Sequence, residues 1–180
     1  PRRYSSAASD VYKRQASGFE SLYNNSTGIR NTANGYKTLH SNTTGYNNTA
    51  IGVFALIYNT TGYNNIAVGN SSLFDNTTGS QNTATGSTSL NSNTTGIFNT
   101  ANGYNSLLSN TTGGYNSGLG GSSNSVGTNY DNSTGLGYDA DPTATNTIHI
   151  GNTSVTSIKG QVGFTTYSDC LLYTSDAADE

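Results

Sequence analysis

Gly52-Val53-Phe54-Ala55-Leu56-Ile57-Tyr58-Asn59-Thr60-Thr61-Gly62-Tyr63-Asn64-Asn65-Ile66-Ala67-Val68 is one turn of a pattern that returns every 17 residues. Outward from it, one glycine column runs Gly18, Gly35, Gly52, Gly69, Gly86, Gly103, Gly120, and a second Gly28, Gly45, Gly62, Gly79, Gly96, Gly113. Leucine recurs as Leu22, Leu39, Leu56, Leu73, Leu90, Leu107, and alanine as Ala33, Ala50, Ala67, Ala84, Ala101. Two asparagine columns complete the frame: Asn25, Asn42, Asn59, Asn76, Asn93, Asn110 and Asn31, Asn48, Asn65, Asn82, Asn99, Asn116. The consensus G-x-x-[STA]-L-x-x-N-[ST]-T-G-x-x-N-[TI]-A-x runs six times without insertion or deletion. A period held this strictly marks a repeat architecture in which each unit stacks on its neighbours.

The composition, rich in Asn, Thr, Gly and Ser, would by itself fit a disordered segment. Disorder does not hold Leu and Ala at constant phase, and helix is disfavoured by two glycines and an Asn-Thr-Thr run in every repeat. Asn-Thr-Thr-Gly places Asn and Gly at the favoured first and fourth positions of a type I turn. Asn-Thr-Ala-x-Gly reads as a short strand ending at a glycine suited to positive φ, and the leucine run as a second, shorter strand. The expected fold is all-β: a β-solenoid, or β-roll, of six 17-residue coils over 16–120, then a β cap or neck over 121–169.

In such a stack Leu and Ala face a narrow interior, and the asparagine columns form hydrogen-bonded ladders along the axis. One Leu and one Ala per coil bury too little apolar surface to offset the entropy of ordering 17 residues. Side-by-side association of chains is the simplest remedy, and a homotrimer is expected. Variable positions (Phe19, Tyr36, Val53, Tyr104; Tyr46, Tyr63, Ile97; and Asn34, Ile51, Val68, Thr85, Asn102, Leu119) serve either that contact or the outer surface.

The two ends read differently. Ser5–Gln15 (SSAASDVYKRQ) and Cys170–Glu180 (CLLYTSDAADE) are back-translations of one DNA segment read on opposite strands, similar to a transposon-based sequencing adapter. Residues 1–15 and 170–180 are therefore expected to be adapter-derived and are left out of the fold reasoning. Between them stand three basic residues (Arg30, Lys37, Lys159) against six acidic ones (Glu20, Asp75, Asp131, Asp139, Asp141, Asp169), a net of −3, and no cysteine. That excludes a disulfide framework and gives no basic stripe for nucleic acid. No apolar run approaches the roughly 20 residues that span a bilayer.

Beyond Gly120 the consensus dissolves, the Gly137–Gly151 spacing is 14, Thr147-Ile148-His149-Ile150-Gly151 alternates as a strand, and Val155–Phe164 holds two further short ones. The Asn48-Thr49-Ala50-Ile51-Gly52 strand and the 14-residue spacing resemble the β-roll heads of trimeric autotransporter adhesins. The 17-residue form resembles repeats of tail-fibre-like surface proteins of marine bacteria and phages. Ile148-His149-Ile150-Gly151-Asn152-Thr153-Ser154-Val155-Thr156-Ser157-Ile158, on to Ser168-Asp169, is similar to the segment preceding an endosialidase-type intramolecular chaperone domain. These resemblances imply an extracellular homotrimeric fibre, on a bacterial surface or a phage virion, with an unidentified receptor or glycan as partner.

Catalytic, cofactor and metal sites are expected to be none. Within the six coils the charged residues Glu20, Arg30, Lys37 and Asp75 fall in different columns or coils, so no acid–base pair is assembled. His40 and His149 stand alone, and Asp131, Asp139 and Asp141 read as turn residues rather than a calcium site. Gly135-Leu136-Gly137-Tyr138-Asp139-Ala140 mimics a dinucleotide fingerprint but leads into Asp-Pro-Thr instead of a helix. The Asn-[Ser/Thr]-Thr sequons are already explained by the turn. The alternative function is ice binding, through threonine columns Thr27, Thr44, Thr61, Thr78, Thr95, Thr112 and Thr32, Thr49, Thr83, Thr100, the second interrupted by Ile66.

Overall fold

A computed structural model describes residues 14–124 and 129–156. Nine short strands follow one another: β1 (Arg14–Ser17), β2 (Asn31–Asn34), β3 (Thr49–Ile51), β4 (Ile66–Val68), β5 (Thr83–Thr85), β6 (Thr100–Asn102), β7 (Ser117–Leu119), β8 (Thr134–Leu136) and β9 (Ile148–Ile150). They form one parallel sheet in chain order, so each strand returns beside its predecessor after one coil. The fold is the expected all-β solenoid, and β1 begins inside the segment read as adapter-derived.

The coil count is corrected from six to eight. The 17-residue step persists past Gly120, since Ser117 pairs with Thr134 and Leu119 with Leu136, and only the last step shortens to 14, with Thr134 opposite Ile148. Consensus and register part company because Gly118 and Gly135 replace alanine where other atoms already fill the interior. A Cβ on Gly118 would come closer than 3.0 Å to the Ser106 hydroxyl, and one on Gly135 equally close to the Ala140 carbonyl.

The second strand per coil is also corrected. In the leucine run every other residue is left-handed, with φ 52° at Lys37 and 50° at Leu39, and the pattern recurs at Phe54 and Leu56. The run still joins the coils: Lys37 N–H donates to the Phe19 carbonyl at 2.8 Å, Leu39 to Ala55 at 3.1 Å and Ser41 to Ile57 at 2.9 Å. A left-handed residue costs about 1–2 kcal/mol, and these inter-coil bonds, with the buried leucine, offset it. Val155 and Thr156 carry no strand, and the rest of the expected pair of terminal strands lies outside the described residues.

The interior is as predicted for the apolar columns. Ala50, Ala67, Ala84 and Ala101 and Leu39, Leu56, Leu73 and Leu90 are fully buried and belong to one continuous cluster. Around them the asparagines are buried too. In the first column each amide donates to the preceding coil: Asn59 Nδ2 to Asn42 Oδ1 at 2.7 Å, Asn76 to Asn59 and Asn93 to Asn76 at 2.8 Å. In the second column the ladder runs through the backbone. Asn65 N–H donates to Asn48 Oδ1 at 3.0 Å while its Nδ2 donates to the Gly79 carbonyl at 2.9 Å.

The turn is closed by the side chain. Asn59 Nδ2 donates to the Gly62 carbonyl at 3.0 Å, while the Gly62 N–H goes to the Thr77 carbonyl in the next coil. That carbonyl also accepts the Thr60 and Thr61 N–H groups and the Thr60 hydroxyl at 3.0 Å. Among the described residues no buried side-chain nitrogen or oxygen lacks a hydrogen-bond partner. A half-polar core is stable on that condition, because each buried group left unpaired costs about 1–3 kcal/mol.

Candidate functional surface

With the interior filled by fixed columns, recognition falls to the variable positions. From β2 to β6 each strand turns its alanine inward and the residues on either side of it outward; Ile66 and Ile51 are exposed beside buried Ala67 and Ala50. The register stacks one outward column as Thr32, Thr49, Ile66, Thr83, Thr100, Ser117, Thr134 and the other as Asn34, Ile51, Val68, Thr85, Asn102, Leu119, Leu136. Neither holds an ionisable group over that span. At the corners flanking the strands stand exposed rings: Phe98 and Tyr115 on one side, Tyr36, Tyr104 and Tyr138 on the other.

Arg30 is exposed at one corner of this face, in the column of Phe98 and Tyr115, while Glu20 and Asp75 lie on the leucine run. Glu20 pairs with Lys37 and His40, each at 3.4 Å, and His40 stacks on Tyr23. Glu20 beside Lys37 holds its ammonium above the ordinary lysine value. Asp75 is pushed above the usual carboxylate range by burial. His149 sits in β9 opposite Gly135. It lines, with Asp139 and Asp141, an open depression of about 540 Å³ at the C-terminal edge of the sheet.

Asp131 accepts the Gly114 N–H at 2.7 Å; among the described residues no three His, Cys, Asp or Glu side chains gather to hold a metal ion. The glycine-rich Gly135–Ala140 stretch leaves β8 into a turn, with Gly135 buried, so the helix that a dinucleotide site requires does not follow it.

The two threonine columns separate. Thr44, Thr61, Thr78 and Thr95 are exposed at the turn corner, whereas Thr32, Thr49 and Thr83 belong to the sheet face. The sequon asparagines Asn42, Asn59, Asn76 and Asn93 are fully buried in the ladder. Sequence reasoning missed a third buried column, Thr38, Ser72, Ser89, Ser106 and Ser123. Its hydroxyls donate to glycine carbonyls, as Ser89 does to Gly86 at 2.9 Å; the [STA] position of the consensus was its signal. Also missed was Asn129, whose side-chain oxygen accepts the Thr111 and Thr112 N–H groups. It takes over what a backbone carbonyl of the next coil does elsewhere.

No helix of the described residues is long and apolar enough to cross a membrane. Set against protein families, curated proteins and solved structures, the chain matches none.

Proposed function

We propose that this chain is a non-catalytic segment of an extracellular trimeric fibre, of a bacterial surface or a phage virion, serving as shaft or receptor-binding head. One observation carries the proposal: the coils from Leu22 to Leu107 share one apolar cluster, and among the described residues no buried side-chain nitrogen or oxygen lacks a partner, so the polar columns bond along the axis. Such a stack resists bending and extends about 4.8 Å per coil, which suits a spacer. Its apolar interior is still one Leu and one Ala per coil, so association supplies the missing burial. Sedimentation of the full chain, with SDS gels run unheated, tests this: an SDS-resistant, β-rich trimer is expected. A well-folded monomer at high concentration would refute it.

Ice binding is the second reading. It is supported by the outward threonines Thr32, Thr49, Thr83 and Thr100, which the register aligns in one row. Thermal hysteresis of the full chain is the measurement, and its absence ends that reading.

A further inference from the structure

We infer that the outer face of the sheet is the surface against which neighbouring copies of this chain pack. The inference rests on the fibre reading and adds the place of contact. Among the described residues, 13 of the 18 exposed large apolar side chains lie on the strands or at the corners flanking them. Six are on the strands themselves: Ile51, Ile66, Leu119, Leu136, Ile148 and Ile150. That concentration sets this face apart from the other two sides of the coil. The leucine side carries Glu20, Lys37, His40 and Asp75, and the turn side presents exposed threonines with Tyr46 and Ile97 as the exposed large apolar residues beside them.

Charge and area both point to a second copy of the chain. The outward columns hold no ionisable group from Thr32 to Leu136, so like columns meet no charge repulsion across the strands, and the exposed Arg30 stands at one corner of the face. Strands spaced about 4.8 Å apart, with the flanking corners, make a face on the order of 40 by 20 Å. That is roughly the 800 Å² per partner of a stable interface. A crystalline ice surface is a poorer occupant, because the columns mix Ile, Val, Leu and Asn, and only Thr83-Ala84-Thr85 offers threonine at both outward positions. Packing of the sheet face also explains why alanine-thin coils tolerate so many exposed branched aliphatics: in the assembly they are core.

The test uses the full chain carrying Ile66→Glu with Leu119→Glu, beside Tyr58→Glu, an exposed ring off this face. Sedimentation and far-ultraviolet circular dichroism are read together. The face variant is expected to fall to a monomer with its β spectrum kept, while Tyr58→Glu stays assembled. If the face variant stays assembled and Tyr58→Glu dissociates, the contact lies elsewhere and the fibre reading stands. If the unsubstituted chain is itself monomeric, both fall.

Labelling covers the case in which the face variant unfolds. In a Cys170→Ser background, Thr83→Cys on the face should resist a maleimide at least tenfold longer than Thr78→Cys on the turn corner. Equal rates overturn the inference.

Discussion

Replacing Asn76 with alanine tests whether the amide ladder stabilises the stack or merely occupies it. Asn76 is fully buried; it donates to Asn59 Oδ1 at 2.8 Å and to the Gly79 carbonyl at 3.0 Å, and accepts from Asn93 Nδ2 at 2.8 Å. The Gly79 carbonyl keeps Asn65 Nδ2 as a donor, so it survives the change. Asn59 Oδ1 and one N–H of the Asn93 amide are left without a partner in a dry interior. At about 1–3 kcal/mol for each orphaned group, with a small cavity besides, the expected loss is about 3–6 kcal/mol.

Asn47→Ala is the control: its amide bonds Asn64 at 3.0 Å on the exposed surface, and the expected loss is the cost of alanine at its left-handed φ of 55°, about 1–2 kcal/mol. Urea denaturation of both variants, followed by circular dichroism, gives the two numbers. Asn76→Asp adds a pH axis. A carboxylate would face the Asn59 and Gly79 oxygens, so its folded pKa must lie above the unfolded value. The variant is therefore least stable at neutral pH and recovers as pH falls through the raised pKa, where the protonated acid donates again. Equal losses for Asn76→Ala and Asn47→Ala, or no pH dependence for Asn76→Asp, would refute the reasoning.

Three further outcomes are expected. Leu73→Ala should cost about 2–5 kcal/mol by cavity formation and Ala67→Leu about 1–3 kcal/mol by overfilling, while Tyr63→Ser loses only a ring stacked on Tyr46 at 4.9 Å; denaturation midpoints rank them. Gly62→Ala should abolish the native β spectrum, because its Cβ would lie closer than 3.0 Å to both Asn59 Oδ1 and the Gly79 carbonyl. Asp75→Asn should raise the melting temperature at neutral pH. Burial raises the Asp75 pKa, so the ionised form weighs against folding above the unfolded value, and the gain vanishes as pH falls below both values.

Residues with one environment in every coil were legible in the sequence: Leu73, Ala67 and Asn76 keep their identity because each meets the same neighbours above and below. What escaped reading depended on backbone angle or on exchange between residues. Nothing in the leucine run announces that Leu73 takes a φ of 50°, since its side chain is chosen by the core it fills. The seventh coil was hidden because Gly118 traded its methyl for the Ser106 hydroxyl, which alters the letters and keeps the register. The candidate surface was least legible, for Ile51, Thr85 and Leu119 share a column only once the strands are stacked. Absence of acid–base chemistry was a reading of scattered charges. The structure places Glu20, Lys37 and His40 together and leaves Asp75 away from them.

The amide ladder also governs how such a chain can change length. Each Asn in it bonds a residue 17 positions earlier and closes its own turn, so a whole repeat can be added or lost with every bond re-formed across the junction. Any other insertion within the consensus coils shifts the columns out of phase for all coils beyond it. Recombination between near-identical repeats would therefore lengthen or shorten the rod in whole steps of about 4.8 Å. The gene behaves as a ruler with one graduation, and the length of the solenoid can evolve without redesign of its core.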